Sequence, residues 1–343
     1  MGEITVKKTA PRRLLDCTLR DGGYVNNWEF DHRSACGIRD ALYDSGVRYI
    51  ELGIMGSGGI VGKQTKFSSF DEIKPLLLGR KPDCRYCVMT TLAELETPGM
   101  EPPDRNEEMV DAIRLAYFKP EMEQALEAAR RLKEKGYEVF LQAMATFMYD
   151  ESELKFMLEK VNRLQPTAFY IVDSFSTMYA GEVREMAGKV LAELEESVLF
   201  GFHAHNNIQM AFANAIAFIE LPTERALIVD GSIYGMGRGA GNVPTELLME
   251  YMNRNRNGAF EVSPVLNAYE QFLAPVFQKY YWGYSIPYYL TATKKVNSAY
   301  GWYIGNQGIR SAAEISEILD AIPEDARYTL KRDVIDGILA ARH

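Results

Sequence analysis

The sequence of 343 residues predicts an α/β fold, a TIM (β/α)8 barrel, followed by a smaller, mainly helical C-terminal domain. Eight short β-rich runs alternate with longer helical patterns over residues 1–258. These runs are continuously apolar, which is typical of parallel strands that are buried on both faces. The alternation then stops, and residues 259–343 have helical and aromatic patterns. We therefore predict a barrel domain over 1–258 and a helical domain over 259–343.

The β-rich runs and the helical patterns give the predicted elements in order. The strands are predicted at residues 14–19, 48–53, 86–90, 113–118, 138–145, 168–173, 198–204 and 226–233, and the clearest helices at 121–135, 151–164, 181–195, 208–219 and 245–255. An open, doubly wound sheet is the alternative fold. It is disfavoured because no phosphate-loop fingerprint follows the first strand.

Composition and charge exclude several classes of partner. The net charge of −9 disfavours a nucleic acid or an anionic membrane surface. No apolar run is long enough to span a membrane. Residues 1–10 are polar and lack the apolar core of a signal peptide, and four cysteines do not make a disulfide framework. We expect a cytoplasmic protein that acts on a small molecule.

Two of the four histidines, His203 and His205, lie two positions apart at the end of the seventh predicted strand. Alternate side chains of a strand point to the same side, so both imidazoles should point into the barrel mouth. A hydrogen-bonded pair that lines a pocket is the alternative interpretation. Asp21 can supply a third metal ligand, because the first and seventh strands both neighbour the eighth. Two imidazoles and one carboxylate leave coordination positions open, as in catalytic sites, and suit Mn, Co, Zn or Fe(II) better than Mg.

Arg20 immediately precedes Asp21 and offers a planar guanidinium to a carboxylate or a developing enolate oxygen. A structural ion pair with Glu51, at the end of the second predicted strand, is the alternative, and both roles are compatible. Gly22 and Gly23 are interpreted as positions where a ligand approaches the backbone.

Four polar side chains at predicted strand ends are predicted to bind substrate: Glu51, Lys119, Ser174 and Asn242. Lys119 is expected to contact a substrate carboxylate or phosphate, and no Schiff base is expected, although a desolvated lysine can act as a nucleophile. The pair Lys119-Pro120 also fits the start of a helix. Asn242 follows a glycine-rich run and is expected to contact the metal or its water.

Three motifs follow the first, seventh and eighth predicted strands. They are Thr18-Leu19-Arg20-Asp21-Gly22, Gly201-Phe202-His203-Ala204-His205-Asn206 and Gly235-Met236-Gly237-Arg238-Gly239-Ala240-Gly241-Asn242. Together they resemble the HMG-CoA lyase-like superfamily of metal-dependent barrels, often called the DRE-TIM metallolyases. The resemblance spans roughly residues 12–258 and is closest to 4-hydroxy-2-oxovalerate aldolase-type enzymes, since the eighth loop lacks the cysteine of the HMG-CoA lyases.

The resemblance implies roles for the site residues. Asp21, His203 and His205 would bind a divalent metal, Mn in preference to Zn, Co or Mg. Arg20 would stabilise the enolate of a 2-oxo acid. Tyr284 would line the pocket from the C-terminal domain, which would thereby complete the active site. Tyr24 stands where those aldolases carry a catalytic histidine, so Tyr24, Tyr284 or a metal-bound water is expected to transfer the proton.

The function implied is that of a metal-dependent carbon–carbon lyase, an aldolase, acting on a 2-oxo acid or hydroxy-oxo acid through a metal-held enolate. Three alternatives stay open: an acyl-CoA-dependent Claisen-type synthase, an Fe(II) oxygenase, and a non-catalytic barrel subunit, which the missing histidine favours. A homo-oligomer or a partner enzyme is also left open.

Overall fold

A computed structural model describes residues 11–59 and 64–342. Nine parallel strands form one sheet, and eight of them close into a barrel. The strands are β1 (Arg12–Asp16), β2 (Tyr49–Met55), β3 (Lys66–Phe67), β4 (Arg85–Thr91), β5 (Ala112–Tyr117), β6 (Glu138–Met144), β7 (Ala168–Asp173), β8 (Leu199–Ala204) and β9 (Leu227–Gly231). The two-residue β3 pairs with β2 at the margin of the sheet.

The pairing of the first two strands closes the barrel. The sheet order is β1-β9-β8-β7-β6-β5-β4-β2, and β1 also pairs with β2. The predicted TIM barrel is thus confirmed, and the open doubly wound sheet is excluded. Since β9 lies between β1 and β8, the loops that follow β1 and β8 meet at one mouth of the barrel, as the sequence predicted.

Helices surround the barrel and then form the C-terminal region. Those of the barrel region are Thr18–Asp21, Gly23–Asn26, His32–Asp44, Lys74–Leu77, Leu92–Leu95, Met122–Glu134, Glu151–Leu164, Ala180–Glu193, Ala211–Ile219 and Thr245–Asn255. Those of the C-terminal region are Ser263–Ala268, Ala274–Lys279, Ile286–Thr293, Ser298–Asn306, Ala312–Asp320 and Arg332–Ala340. None of the described helices is both long and apolar enough to cross a membrane.

The first predicted strand is wrong at its C-terminal end. It was expected to run from 14 to 19, but β1 ends at Asp16. The Asp16 carboxylate accepts a hydrogen bond from the Thr18 backbone N–H (2.8 Å), and the Cys17 carbonyl accepts one from the Asp21 N–H (2.8 Å). This local bonding starts a helical turn, Thr18–Asp21, so Arg20 and Asp21 project from that turn.

Alternate residues of β5 mark three layers inside the barrel. Ala112 belongs to the apolar layer at the N-terminal end, together with residues such as Phe140 and Tyr170. Ala116 belongs to a small apolar cluster nearer the mouth. Arg114 lies between them and is fully buried. A charged layer therefore separates two apolar layers directly below the mouth.

The hydrophobic cores place the change from barrel to separate C-terminal core further along the chain than residue 258. Leu273 and Trp282 belong to the main core with the barrel, and Phe277 packs against it. Beyond Gly283, residues such as Tyr300, Ile315 and Leu319 form a separate core. The predicted boundary at 258 stays a prediction, but the first C-terminal helices pack on the barrel and the last four share their own core.

Candidate metal centre

Three buried side chains converge at the mouth of the barrel. The Asp21 Oδ2 atom lies 3.5 Å from His205 Nε2 and 3.8 Å from His203 Nε2. The two imidazole rings are nearly perpendicular, with centroids 4.9 Å apart. All three ligand atoms lie within 4.8 Å of one another. The structure thus brings the three predicted metal-binding residues together.

Hydrogen bonds behind the imidazoles fix their tautomers. The Asp173 carbonyl can only accept, so His205 donates from Nδ1 to it over 3.2 Å. His203 donates from Nδ1 to the Asp230 carboxylate over 2.9 Å. Both Nε2 atoms are therefore left with a lone pair directed at the site. This is the usual support of a metal-binding imidazole.

The electrostatics of the site favour the ligand forms of these groups. Burial alone would raise the pKa of the Asp21 carboxyl, but the Arg20 guanidinium and the two imidazoles hold it well below its ordinary value. Burial lowers the pKa of His203 to about 4, against the opposing effect of Asp230. At neutral pH Asp21 is ionised and His203 is neutral, the states in which these side chains bind metals.

The residues fit a divalent metal. Asp21 Oδ2, His203 Nε2 and His205 Nε2 are buried and have no hydrogen-bond partner among the described residues. Buried polar atoms are normally paired, and three unpaired atoms that face one another are costly unless a cation lies between them. Two imidazoles and a carboxylate are a donor set that leaves coordination positions for substrate.

Arg20 has the structural partner that the sequence suggested. Its Nε donates to Glu51 Oε2 and its Nη1 to Asp21 Oδ1, each over 2.8 Å. All three side chains are buried. Arg20 is therefore held beside the ligand carboxylate, and Glu51 orients it. Whether Arg20 and Glu51 also contact substrate stays a prediction.

The glycines after Asp21 have a packing role, and the approach of a ligand to their backbone stays a prediction. A Cβ on Gly23 would lie 2.0 Å from the Trp28 indole, and one on Gly22 would lie 2.4 Å from the Thr18 carbonyl oxygen. Trp28 in turn donates from Nε1 to the Arg20 carbonyl over 2.8 Å. The small residues let the indole brace the turn that carries Arg20.

Asn242 lies next to the triad. Its backbone forms a bridge with His205, and its side chain is buried. The Oδ1 atom has no partner in the described part of the chain. A Cβ on Gly237 would lie 2.4 Å from Asn242 Nδ2, so the glycine-rich run provides room for this amide. The arrangement suits the predicted contact with the metal or its water.

Lys119 and Ser174 both have structural partners. Lys119 forms an ion pair with Glu153 and lies 5.6 Å from the centroid of the Tyr149 ring. The Ser174 hydroxyl accepts a hydrogen bond from the Ala145 N–H over 2.9 Å. These contacts explain both residues without a ligand, and their roles in substrate binding stay predictions.

The two tyrosines predicted to transfer a proton have different surroundings. Tyr24 lies one turn after Asp21 and is 42% exposed. Its ring lies edge-on to Trp28, with centroids 4.7 Å apart, and 5.4 Å from the Arg238 guanidinium carbon. Tyr284 is 47% exposed, and its ring lies 6.4 Å from that of Tyr289 in the C-terminal region. Tyr24 thus contacts barrel residues, whereas Tyr284 contacts its own region.

Other C-terminal residues pack onto the barrel mouth. Asn297 accepts a hydrogen bond from Arg238 of the glycine-rich run. The Tyr328 ring contacts Phe118 and Phe175, with centroids 5.9 and 6.5 Å apart. Phe118 and Phe175 follow β5 and β7, so the C-terminal region lies over the mouth. Sequence patterns missed these residues because their partners are distant in the chain.

Comparison with known proteins identifies the family. The HMGL-like family model matches residues 12–271, which is most of the chain. The chain belongs to the HMGL-like family. A 4-hydroxy-2-oxovalerate aldolase from Thermomicrobium roseum is 30% identical over 278 residues, covering 79% of this chain and 75% of the relative. An oxaloacetate decarboxylase from Mycobacterium tuberculosis is 27% identical over 244 residues, covering 70% of each.

Several solved structures share the fold of this HMGL-like chain. The N-terminal domain of a Bacteroides vulgatus protein has a TM-score of 0.74 at 26% identity, covering 85% of this chain and 96% of that one. Hydroxymethylglutaryl-CoA lyase from Pseudomonas aeruginosa has a TM-score of 0.63 at 16% identity, covering 78% and 94%. The carboxyl transferase domain of Rhizobium etli pyruvate carboxylase reaches 0.76 at 11% identity, covering 97% and 61%.

These findings confirm the family and the reaction class predicted from the three motifs. The named relatives are carbon–carbon lyases, and this HMGL-like chain has a candidate metal site at the position where the motifs predicted it. An Fe(II) oxygenase gains no support from the relatives.

Proposed function

We propose that this chain makes or breaks a carbon–carbon bond next to the carbonyl of a 2-oxo acid, with a hydroxy-2-oxo acid as substrate or product. The observation that carries the proposal is the buried triad Asp21, His203 and His205, whose three unpartnered atoms converge beside the Arg20 guanidinium. The relatives named as an aldolase and as a decarboxylase of 2-oxo acids support this substrate class.

The charges of the site suit such a substrate. The buried cluster holds two guanidiniums, Arg20 and Arg114, and three carboxylates, Asp21, Glu51 and Asp230. The net charge of the cluster is therefore −1, and a bound divalent cation would change it to +1. A carboxylate substrate would then be attracted to a buried site of opposite sign.

The bound metal would supply Lewis acidity that polarises the substrate carbonyl. Arg20 is fixed by Glu51 and Asp21, so it can donate to a developing enolate oxygen without reorganising. The mouth is covered by the C-terminal region, whose Asn297 holds Arg238. That cover would limit water access to the enolate.

For the proton transfer to or from the substrate hydroxyl, we propose Tyr24 ahead of Tyr284. Tyr24 lies on the turn directly after the metal-ligand turn and contacts Arg238 at the covered mouth. The Tyr284 ring instead contacts Tyr289. When the carbon–carbon bond is made, a phenol hydroxyl in such a position can donate a proton to the alkoxide that forms from the aldehyde carbonyl.

We propose manganese as the metal, because a mixed nitrogen and oxygen donor set with open positions suits it, with zinc, cobalt and magnesium as alternatives. A cytoplasmic location and association with a second copy or a partner enzyme stay proposals.

The test is exchange in D2O of the C3 protons of pyruvate and 2-oxobutyrate, which lie next to the 2-oxo carbonyl, followed by NMR with and without Mn²⁺. We expect exchange that requires the metal and falls about 10²-fold in Arg20→Ala, the scale for the loss of one charge-stabilising contact. Arg20→Lys keeps a positive charge beside Glu51. The matched control is Arg39→Lys, because Arg39 is also a buried arginine but donates to the Leu76 and Leu78 carbonyls.

Histidine variants and tyrosine variants complete the experiment. His203→Ala should abolish both metal content and exchange, whereas His32→Ala, an exposed histidine on the helix His32–Asp44, should keep both. With hydroxy-2-oxo acids and aldehydes as substrates, Tyr24→Phe should lower turnover far more than Tyr284→Phe. Metal-loaded protein that exchanges no 2-oxo acid would contradict the proposal, and release of free thiol from an acyl-CoA would favour the Claisen-type synthase.

A further inference from the structure

A single arginine interrupts the apolar sequence of β5, Ala112–Tyr117. Arg114 is fully buried in the middle of the barrel and has no exposed side-chain surface. A buried guanidinium is costly unless its charge is compensated. Its partners lie 63 and 116 positions away in the chain, so no local sequence pattern predicts them.

Arg114 bonds two carboxylates that belong to two different branches of the metal site. Its Nη1 donates to Glu51 Oε2 over 2.8 Å, and the same Oε2 accepts from Arg20, the partner of Asp21. Its Nη2 donates to Asp230 Oδ2, which also accepts from His203 Nδ1. One guanidinium therefore connects the orienting partners of two metal ligands, Asp21 and His203.

The plane of the guanidinium is supported from one side by an aromatic ring. The Arg114 Cζ lies 5.0 Å from the centroid of the Tyr170 ring. Tyr170 is buried on β7, and a Cβ on Gly201 of β8 would lie 2.5 Å from three of its ring atoms. Gly201, which begins the motif that contains both histidines, thus leaves room for the ring that supports Arg114.

Stability alone does not account for this network. Replacing a buried ion-pair network by apolar residues of similar volume is often neutral or stabilising. The layers above and below Arg114 are apolar, so an apolar middle layer would be compatible with the fold. The network is better explained by what it orients.

We propose that Arg114 is a positioning residue that sets the two metal-binding side chains relative to each other, through Glu51 and Arg20 to Asp21 and through Asp230 to His203. The inference rests on the proposed metal-dependent function. It deepens that function by naming the residue that joins the two halves of the site, although Arg114 itself lies a layer below the ligands.

The test measures the affinity of the metal-free protein for Mn²⁺ by the EPR signal of free Mn²⁺. We expect Arg114→Met to weaken binding about 10- to 100-fold, the usual scale for an outer-shell partner of a metal ligand. Arg114→Lys keeps the charge but cannot donate to both carboxylates with a fork, so it should fall between Met and the parent. The EPR line shape of bound Mn²⁺ should broaden in both variants as the ligand geometry loosens.

The matched control is Arg39→Met, which also removes a buried arginine but touches Leu76, Leu78 and Asp40 instead of the site. It should lower the melting temperature of the metal-free protein and leave the Mn²⁺ affinity within about 2-fold, because no outer-shell contact is lost. If Arg114→Met fails to fold, the Mn²⁺ affinity of Arg114→Lys tests the positioning role.

Each remaining outcome separates this inference from the proposed function. Mn²⁺ affinity and line shape that match the parent in both Arg114 variants overturn the positioning role, even if the parent is an active lyase. A parent that binds Mn²⁺ but exchanges no 2-oxo acid overturns the proposed function, while the affinity comparison still decides the role of Arg114. A parent that binds no divalent metal overturns both.

Discussion

Asp16 and Asp21 lie five residues apart, are both buried, and have opposite pKa shifts. Burial raises the pKa of Asp16 to about 7, although the Thr245 hydroxyl and the Thr18 N–H both donate to its carboxylate. For Asp21, burial is outweighed by Arg20 and the imidazoles, and the pKa falls. A neutral hydrogen bond thus offsets less of the burial cost than a guanidinium does.

This contrast predicts how the stability of the metal-free protein depends on pH. Between its unfolded pKa near 3.8 and about 7, Asp16 binds a proton in the folded state only, so the free energy of unfolding falls as the pH rises through that window. Asp16→Asn removes the effect. At about 1.4 kcal/mol per pH unit, the variant should gain about 2–3 kcal/mol relative to the parent between pH 5 and pH 8.

Urea unfolding at the two pH values measures this gain. Asp31→Asn is the control, because Asp31 caps the helix His32–Asp44 and its pKa is lowered, chiefly by the Ser34 N–H. The contribution of Asp31 to the free energy of unfolding is present above the ordinary pKa of an aspartate and is lost only as the pH falls below it. A gain for Asp16→Asn that is the same at pH 5 and pH 8 would contradict the assignment.

At the same scale, the metal ligands and the Arg20–Glu51 pair could be predicted from sequence, but Asp230 and Arg114 could not. His203 and His205 have the spacing of two residues that share one side of a strand. Asp230 and Arg114 have no such local signal, because each is recognised only through partners on other strands. Periodicity predicts what a side chain faces, whereas the identity of its partner depends on the register of the closed barrel.

At the scale of elements, the strand β8 was predicted to within one residue and β1 was not. Leu199–Ala204 is uniformly apolar apart from its histidine, and no side chain competes for its backbone groups. In β1 the Asp16 carboxylate captures the Thr18 N–H and ends the strand three residues early. Short polar side chains that bond their own backbone are the usual cause of such errors.

The packing of β8 against β7 predicts that two glycine-to-alanine substitutions change the free energy of unfolding in opposite directions. Gly201→Ala places a methyl group against the buried Tyr170 ring, so we expect a loss of about 1–3 kcal/mol from overpacking. Gly188→Ala in the helix Ala180–Glu193 meets nothing within 4 Å and should gain about 0.4–1 kcal/mol. Urea unfolding of both variants tests this.

If the ring is displaced, the effect should also reach the metal site. Gly201→Ala should weaken Mn²⁺ binding, because Tyr170 supports Arg114, whereas Gly188→Ala should not. A Gly201→Ala protein as stable as the parent would show that the ring can move freely, and the packing explanation for this motif glycine would fail.

For the whole molecule, the sequence predicted two units but not how they meet. The last four helices share a core of their own, which includes Ile304 and Ile318, and they contact the barrel through polar and aromatic side chains. The predicted contribution of Tyr284 came from the family resemblance. In the structure, Asn297 and Tyr328 provide the contacts with the mouth, and neither stands out in a single sequence because loops carry no periodic pattern.

Tyr328 is expected to hold the C-terminal unit over the mouth. Its ring contacts Phe118 and Phe175, and its carbonyl accepts from Asn297 Nδ2 over 2.6 Å. Tyr328→Ala removes the two aromatic contacts, each worth about 0.5–1.5 kcal/mol beyond the area buried, and leaves the carbonyl bond in place. The unit has its own core, so its overall fold should persist, but it should separate from the barrel more often and the helix Ser298–Asn306, which follows Asn297, should then open locally more often.

Hydrogen exchange measures this separation. In Tyr328→Ala, amides of the helix Ser298–Asn306 and of the segment after β5 should exchange about 5- to 100-fold faster, which corresponds to a loss of about 1–3 kcal/mol. Amides of β8 and β9 should be unaffected. Tyr179→Ala, at an exposed tyrosine before the helix Ala180–Glu193, is the control and should change neither region. The prediction is contradicted if the amides of Ser298–Asn306 exchange at the parental rate and the KM for substrate is unchanged. The aromatic contacts of Tyr328 then do not hold the C-terminal unit over the mouth, and the hydrogen bond between Asn297 and Arg238 must do so alone.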